Sequence, residues 1–257
     1  MKKLVLLALS VILGTAAISA RQNLLVKKFD YATSAGENYA HALRNKVMEG
    51  IAERGRVKVL DVATDDGVEA DNILDGHLIS ITYVKSSDSK GATYTAKVNY
   101  SLKVTRVSDN EVINNKTFEA SSPTFMSTYR TQGDAAAAAI NYAGSQMKDW
   151  VDEVFKSVGK IIEVSEVKKD EAKMVYISIG SEEGIQKGQK LDVKVEKTVA
   201  GRPISKVIGE IKVEAVEGED VSLCKVTKNG KAIQAAMAET PDAVTVVTKV
   251  NGNILGL

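Results

Sequence analysis

The chain has 257 residues, 44% hydrophobic and 26% charged, which excludes a disordered segment and leaves room for one large domain or two modest ones. Aromatics are 5% and there are 3 prolines, so a core must rest on Val, Ile, Leu and Ala, and no proline-stiffened linker exists. With 34 basic against 33 acidic residues, the near-neutral charge excludes the concentrated basic face that nucleic acid requires.

Residues 1–20 read as a secretory leader. Lys2 and Lys3 precede an apolar run over 4–13, and small residues follow to "AISA". The expected cut follows Ala20; Ile18 is large for the third position back, so a cut after Ser19 is the alternative. The run is shorter than the about 20 residues a membrane-spanning helix needs, and no other segment is apolar enough to cross as one. Cys224 is the only cysteine, so no disulfide forms within one molecule and none stands at the cut to take a lipid. The expected product is exported to the periplasm, peripheral at most to the outer membrane, and not lipid-anchored.

Residues 23–30 form a first strand. "SAGE" at 34–37 offers a capping box, Ser34 with Glu37 three residues on. Ala40, Leu43, Val47 and Ile51 then mark one face of a helix that Gly55 ends. Residues 56–62 and 72–85 are strands around an acidic loop. "ATYTAKVNYSLKVT", residues 92–105, alternates strictly, with Tyr94, Ala96, Val98, Tyr100, Leu102 and Val104 on one side. That pattern belongs to a strand with one wet face in an antiparallel sheet, and residues 112–120 return beside it. The following loop carries Phe125, Met126 and Tyr129, which either fold back on the core or dock a partner. A second helix, capped by Asp134 and stopped by Gly159, spans 135–158. Two helices with one apolar face each and a one-sided sheet predict an α+β domain over 21–158, its helices packed on a mixed or antiparallel sheet.

From residue 160 short strands and glycine bends replace the long helices. Strands are expected at 160–164, 173–179, 191–195, 207–213, 221–226 and 243–250, with a short helix over 230–239. They predict a small β-barrel over 159–257.

Reactive constellations are scarce. In "ISIGSEEGIQKGQKLDV", Gly184 and Gly188 have three residues between them where a phosphate-binding loop needs four, Lys190 falls one place late, and no Ser or Thr follows. The glycines read as turns joining two strands. Ser181 is misplaced for a nucleophile elbow. His41 and His77 lack metal-ligand spacing, and Cys224 has no neighbouring histidine and reads as a buried thiol. The acidic loop Asp61, Asp65, Asp66, Glu69, Asp71 has Val62 and Ile73 where a calcium loop wants oxygen ligands, so it reads as solvated.

Two resemblances add to this. "VYISIGSEEGIQKGQKLDV" resembles the C-terminal β-barrel of flagellar-assembly protein T and related envelope proteins. "LRNKVMEGIAERGRVKVLDV", "ADNILDGHLISITY" and "NYSLKVTRVSDNEVI" resemble the curli-secretion transport component and its relatives, which include the N-terminal domain of the Tol β-propeller protein. The resemblance implies a role in envelope assembly without catalysis. The curli component is lipid-anchored through a cysteine absent here, and it builds a pore from long hairpins of which this chain has no second copy.

The expected function is a non-enzymatic envelope adaptor, without cofactor or metal, that binds other envelope proteins or its own copies during assembly of a surface structure. The alternative is a subunit of an oligomeric outer-membrane secretion complex, in which 92–121 would serve as a membrane hairpin.

Overall fold

The computed structural model describes residues 21–249 apart from 66, 90, 125–127 and 200–201. The leader with Ala20, Asp66 of the acidic loop, and Phe125 and Met126 lie outside the described residues.

The chain is α+β, with strands predominating. It opens with β1 (Gln22–Val26), the two-residue β2 (Asp30–Tyr31), α1 (Glu37–Arg54) and β3 (Val57–Asp61). Next come β4 (Asn72–Asp88), β5 (Gly91–Arg106), β6 (Val112–Ser121) and α2 (Gln132–Val154). The sheet order is β3-β1-β4-β5-β6, with β2 also on β4. β1 runs parallel to both its neighbours, whereas β4, β5 and β6 are antiparallel, so the sheet is mixed.

The alternation in β5 decides where the helices sit. Ala96, Val98, Tyr100, Leu102 and Val104 are all fully buried in one cluster with Leu43, Val47 and Ile51 of α1 and Ala139, Ala143, Met147 and Trp150 of α2. Polar groups inside this layer are matched: the Tyr100 hydroxyl donates to Gln146 Oε1 at 3.0 Å and Trp150 Nε1 donates to Asn114 Oδ1 at 3.0 Å. A sheet with one helix-covered face is the arrangement seen for residues 96–104, so their apolar side meets protein. Among the described residues no helix is long and apolar enough to cross a membrane.

Several local expectations give way to contacts. The first helix is not capped by Ser34; Gly36 precedes it at φ +85°, and no side chain caps it. The second helix starts earlier than Asp134. Thr131 is its cap, with Oγ1 accepting from Asp134 N at 3.1 Å and donating to Asp134 Oδ2 at 2.7 Å. It ends at Val154 rather than 158, and Gly159 lies inside a strand, where Ile179 occupies the space a Cβ would need. The β4–β5 hairpin also extends to Asp88 and Gly91, longer than its turn residues suggest.

The remaining strands are β7 (Val158–Lys168), β8 (Glu171–Ile177), β9 (Lys190–Val199), β10 (Arg202–Val216), β11 (Ser222–Lys228) and β12 (Val244–Thr248), with α3 (Gly230–Glu239) between the last two. They close into a barrel in the order β10-β11-β8-β7-β12-β9. Its interior is a second buried cluster that includes Val175, Ile177, Leu191, Val193, Ile211, Val213, Cys224, Val244 and Val246.

Candidate functional site

Most side chains singled out in the sequence are tied into the fold. Cys224 is fully buried in β11, and burial pushes its thiol up to about 12, far from a reactive thiolate. Asp61 receives Arg44 Nη2 at 2.6 Å and Nη1 at 3.1 Å, and its own Oδ1 also accepts from Ala63 N. The Arg44 guanidinium holds the Asp61 carboxyl below its usual range. Asp65 accepts from Asp61 N, and Asp71 accepts from Asn23 N, both at 2.7 Å. The acidic loop therefore closes on its own backbone and on β1. Among the described residues no group of three or more His, Cys, Asp or Glu is placed to hold a metal ion. His41 lies on the first turns of α1, on the wall of a 260 Å³ cleft with Arg44 and Asp61. His77 lies in β4, opposite Ser101, so the two histidines belong to different elements.

Tyr129 is half-buried against the first core. Its carbonyl accepts from Tyr94 N at 2.9 Å, prolonging the edge of β5 beyond β6, and its hydroxyl donates to Pro123 O at 2.9 Å. Of the three residues expected in a docking loop, this one packs on the sheet; the other two lie outside the described residues.

A surface that sequence reasoning missed lies on the barrel. β9 leaves β12 at Val195, and β10 meets β11 only from Glu210 onward. Between these points, among the described residues, β9 and β10 pair only with each other, as a two-stranded ribbon. The register sets Val199 opposite Arg202, Lys197 opposite Ile204 and Val195 opposite Lys206. Directly paired residues share a face, so one side of the ribbon carries Val195, Val199 and Ile204 among Lys197, Arg202 and Lys206. Val199 is 54% exposed and Ile204 49%, a large apolar exposure for β-branched residues.

The part of this face formed by Val195, Lys197, Ile204 and Lys206 looks onto α3, and Val199 and Arg202 continue it along the ribbon towards its tip. The helix is seated by Ile233, fully buried in the barrel core, and by Gly209, where a Cβ would stand 2.7 Å from Ile233 Cδ1. Its small residues Ala232, Ala235 and Ala236 then form the floor of a groove of 320 Å³ walled by Val195, Ile204 and Ile208, with Lys197 and Lys206 on the ribbon and Glu239 at the helix end. The only advance signal is the run of alanines in "KAIQAAMAE". What makes the groove is the approach of segments that are well separated along the chain.

No protein-family model matches the sequence, and no curated protein matches it. Solved structures do. The chain is similar to protein XCC0632 from Xanthomonas campestris, assigned to family-model DUF330, at 19% identity and TM-score 0.37, over 52% of this chain and 84% of that one. It is similar to the PelC dodecamer from Paraburkholderia phytofirmans at 14% identity and TM-score 0.35, over 50% and 88%. It is also similar to lipoprotein GNA1162 from Neisseria meningitidis at 11% identity and TM-score 0.33, over 52% and 97%. These matches do not show the specific resemblance to curli-transport or flagellar-assembly proteins. The expectation that the chain is not lipid-anchored is corrected by this finding: its solved neighbours include a lipoprotein, and that expectation is withdrawn.

Proposed function

We propose that this chain is a non-enzymatic binding module of the bacterial envelope that captures an apolar, acidic segment of a partner protein in the groove between α3 and the β9–β10 ribbon. The carrying observation is the single face that sets exposed Val199 and Ile204 among Lys197, Arg202 and Lys206. The apolar residues gain by leaving water, and the cations select carboxylates over a basic segment. The non-catalytic reading is supported by the structural commitments of Cys224, Asp61, Asp65 and Asp71. Export rests on the leader pattern of residues 1–20, and a role in assembling a surface structure rests on the resemblance carried by residues 43–62, 70–83 and 99–113.

A photoreactive amino acid in place of Ile204, activated in the intact envelope and followed by mass spectrometry of the adduct, tests this. The expected adduct is a partner segment that combines apolar and acidic residues, and it is lost when Lys197→Glu and Lys206→Glu are added. An adduct made only with further copies of this chain, or one indifferent to the charge reversals, contradicts the proposal.

A further inference from the structure

A second site lies where the barrel meets the sheet. Asp152 of α2 receives two guanidinium groups. Arg54 Nε and Nη2 donate to its two oxygens at 2.8 and 2.7 Å, and Arg56 Nε donates to Oδ1 at 2.9 Å. Arg56 Nη1 reaches across to Ser157 Oγ at 2.8 Å and to the Glu183 carbonyl at 3.0 Å. Its second terminal nitrogen, Nη2, is buried and finds no acceptor among the described residues, although the side chain is 0% exposed. An unpaired charged donor in the interior is expensive, which marks the position as one where an acceptor belongs.

The surroundings name the sign of that acceptor. Arg56 lines a cavity of 40 Å³ with Arg21, Gln22, Lys156, Ser157 and Glu183. Arg21 donates to two backbone carbonyls, Glu182 O and Ser181 O, and so brings a charge without a carboxylate partner among the described residues. The Glu183 carboxylate is engaged by Gly180 N at 2.7 Å. Among the described residues the cavity wall carries Arg21, Arg56 and Lys156 against the single carboxylate of Glu183, and Asp152, outside the wall, is shared between Arg54 and Arg56, which leaves an excess of positive charge. Burial lowers the proton affinity of Arg56 even with Asp152 beside it, as expected for a cation short of compensation. The cavity, which opens to solvent, admits a few water-sized spheres, room enough for a small inorganic monoanion.

We infer that this seam binds a small inorganic monoanion, chloride in size, between Arg56, Arg21 and Lys156. The residues around it come from the α1–β3 link, the α2–β7 link and the barrel turn at Glu183. An anion there fastens the barrel to the sheet layer and is released when the two separate, so it stabilises the joined state by mass action.

Thermal unfolding in sodium chloride against sodium gluconate, at equal ionic strength, tests the site. Chloride is expected to raise Tm saturably by about 2–4 °C. Lys156→Gln and Arg21→Gln, both at the exposed rim, are expected to fold normally and to reduce that shift; Arg56→Met abolishes it if it folds. Crystals grown in bromide are expected to show an anomalous peak within hydrogen-bond distance of Arg56 Nη2. Equal Tm in chloride and gluconate, or water alone in the cavity of the bromide crystal, overturns the inference.

Discussion

Gly184 of the barrel approaches Gly55 at the end of the first helix so closely that a Cβ on Gly184 would stand 2.4 Å from the Gly55 carbonyl oxygen. The two glycines lie in different structural layers. Gly55 takes φ +68° to close α1, and Gly184 takes φ +66° in the turn between β8 and β9. The glycine-rich stretch 180–188 is thus more than a pair of corners. Gly180 has no positive φ; a Cβ there would stand 2.5 Å from the Gly218 carbonyl oxygen, so its role is close packing. A Cβ on Gly188, at φ +86°, would meet Lys212 Cε at 3.9 Å, an ordinary van der Waals contact.

Gly184 and Gly188 should therefore respond differently to alanine. Gly184→Ala combines left-handed strain with a backbone collision and is expected to cost about 2–4 kcal/mol. Gly188→Ala carries the strain alone, about 1–2 kcal/mol. Chemical denaturation of the two variants side by side checks the order, and equal losses would show that the contact with Gly55 contributes nothing.

Asp152→Ala leaves Arg54 and Arg56 side by side in the interior without the carboxylate they share. Breaking a buried pair from one side is expected to destabilise by about 3–5 kcal/mol. Urea unfolding gives the magnitude, and protease cleavage next to Lys156, in the link to the barrel, is expected to accelerate in parallel.

α1 and α2 cross at a pair of glycines. A Cβ on Gly50 would stand 2.1 Å from the Gly144 carbonyl oxygen, and one on Gly144 would stand 2.8 Å from the Lys46 carbonyl oxygen. Alanine at either site should be destabilising by about 1–3 kcal/mol in spite of its better helix propensity, because backbone cannot rotate away. Gly133→Ala, at the start of α2 with Thr131 Oγ1 3.8 Å away, provides the control and is expected to be neutral or slightly stabilising.

Glu210 sits nearly buried where β10 meets β11, with Oε2 accepting from Lys249 Nζ at 2.9 Å and Lys228 Nζ at 3.3 Å, and Oε1 accepting from Thr227 Oγ1 at 3.1 Å. The Lys249 contact is the main cause that holds its carboxyl at about 2, below the ordinary 4.5. A folded-state value below the unfolded one means that the stabilisation is complete above pH 4.5 and is lost as pH falls from 4.5 towards about 2. Glu210→Gln should lower stability at neutral pH and flatten the acid limb in that window. An acid limb as steep as that of the unaltered protein would assign the loss to other carboxylates.

The sequence by itself determined the elements whose signal is local. Even-numbered apolar residues over 94–104 specify which face of β5 is buried, since side chains alternate along a strand whatever it pairs with. Helical spacing at Ala40, Leu43, Val47 and Ile51 specifies the inward face of α1, and glycine at 55 its end. Only the tertiary structure decided the rest. Ser34 looks like a cap in sequence, yet Gly36 takes the position. Gly159 looks like a stop, yet Ile179 needs its missing side chain. The groove depends on a register that places Ile204 beside Lys197 and over an alanine face much further along the chain, and the anion site depends on Arg56, Ser157 and Glu183 converging from three links. Periodicity records how one segment divides itself between water and core. It does not record which distant segment fills the core side, because that choice is made by close packing and by the pairing of buried charge.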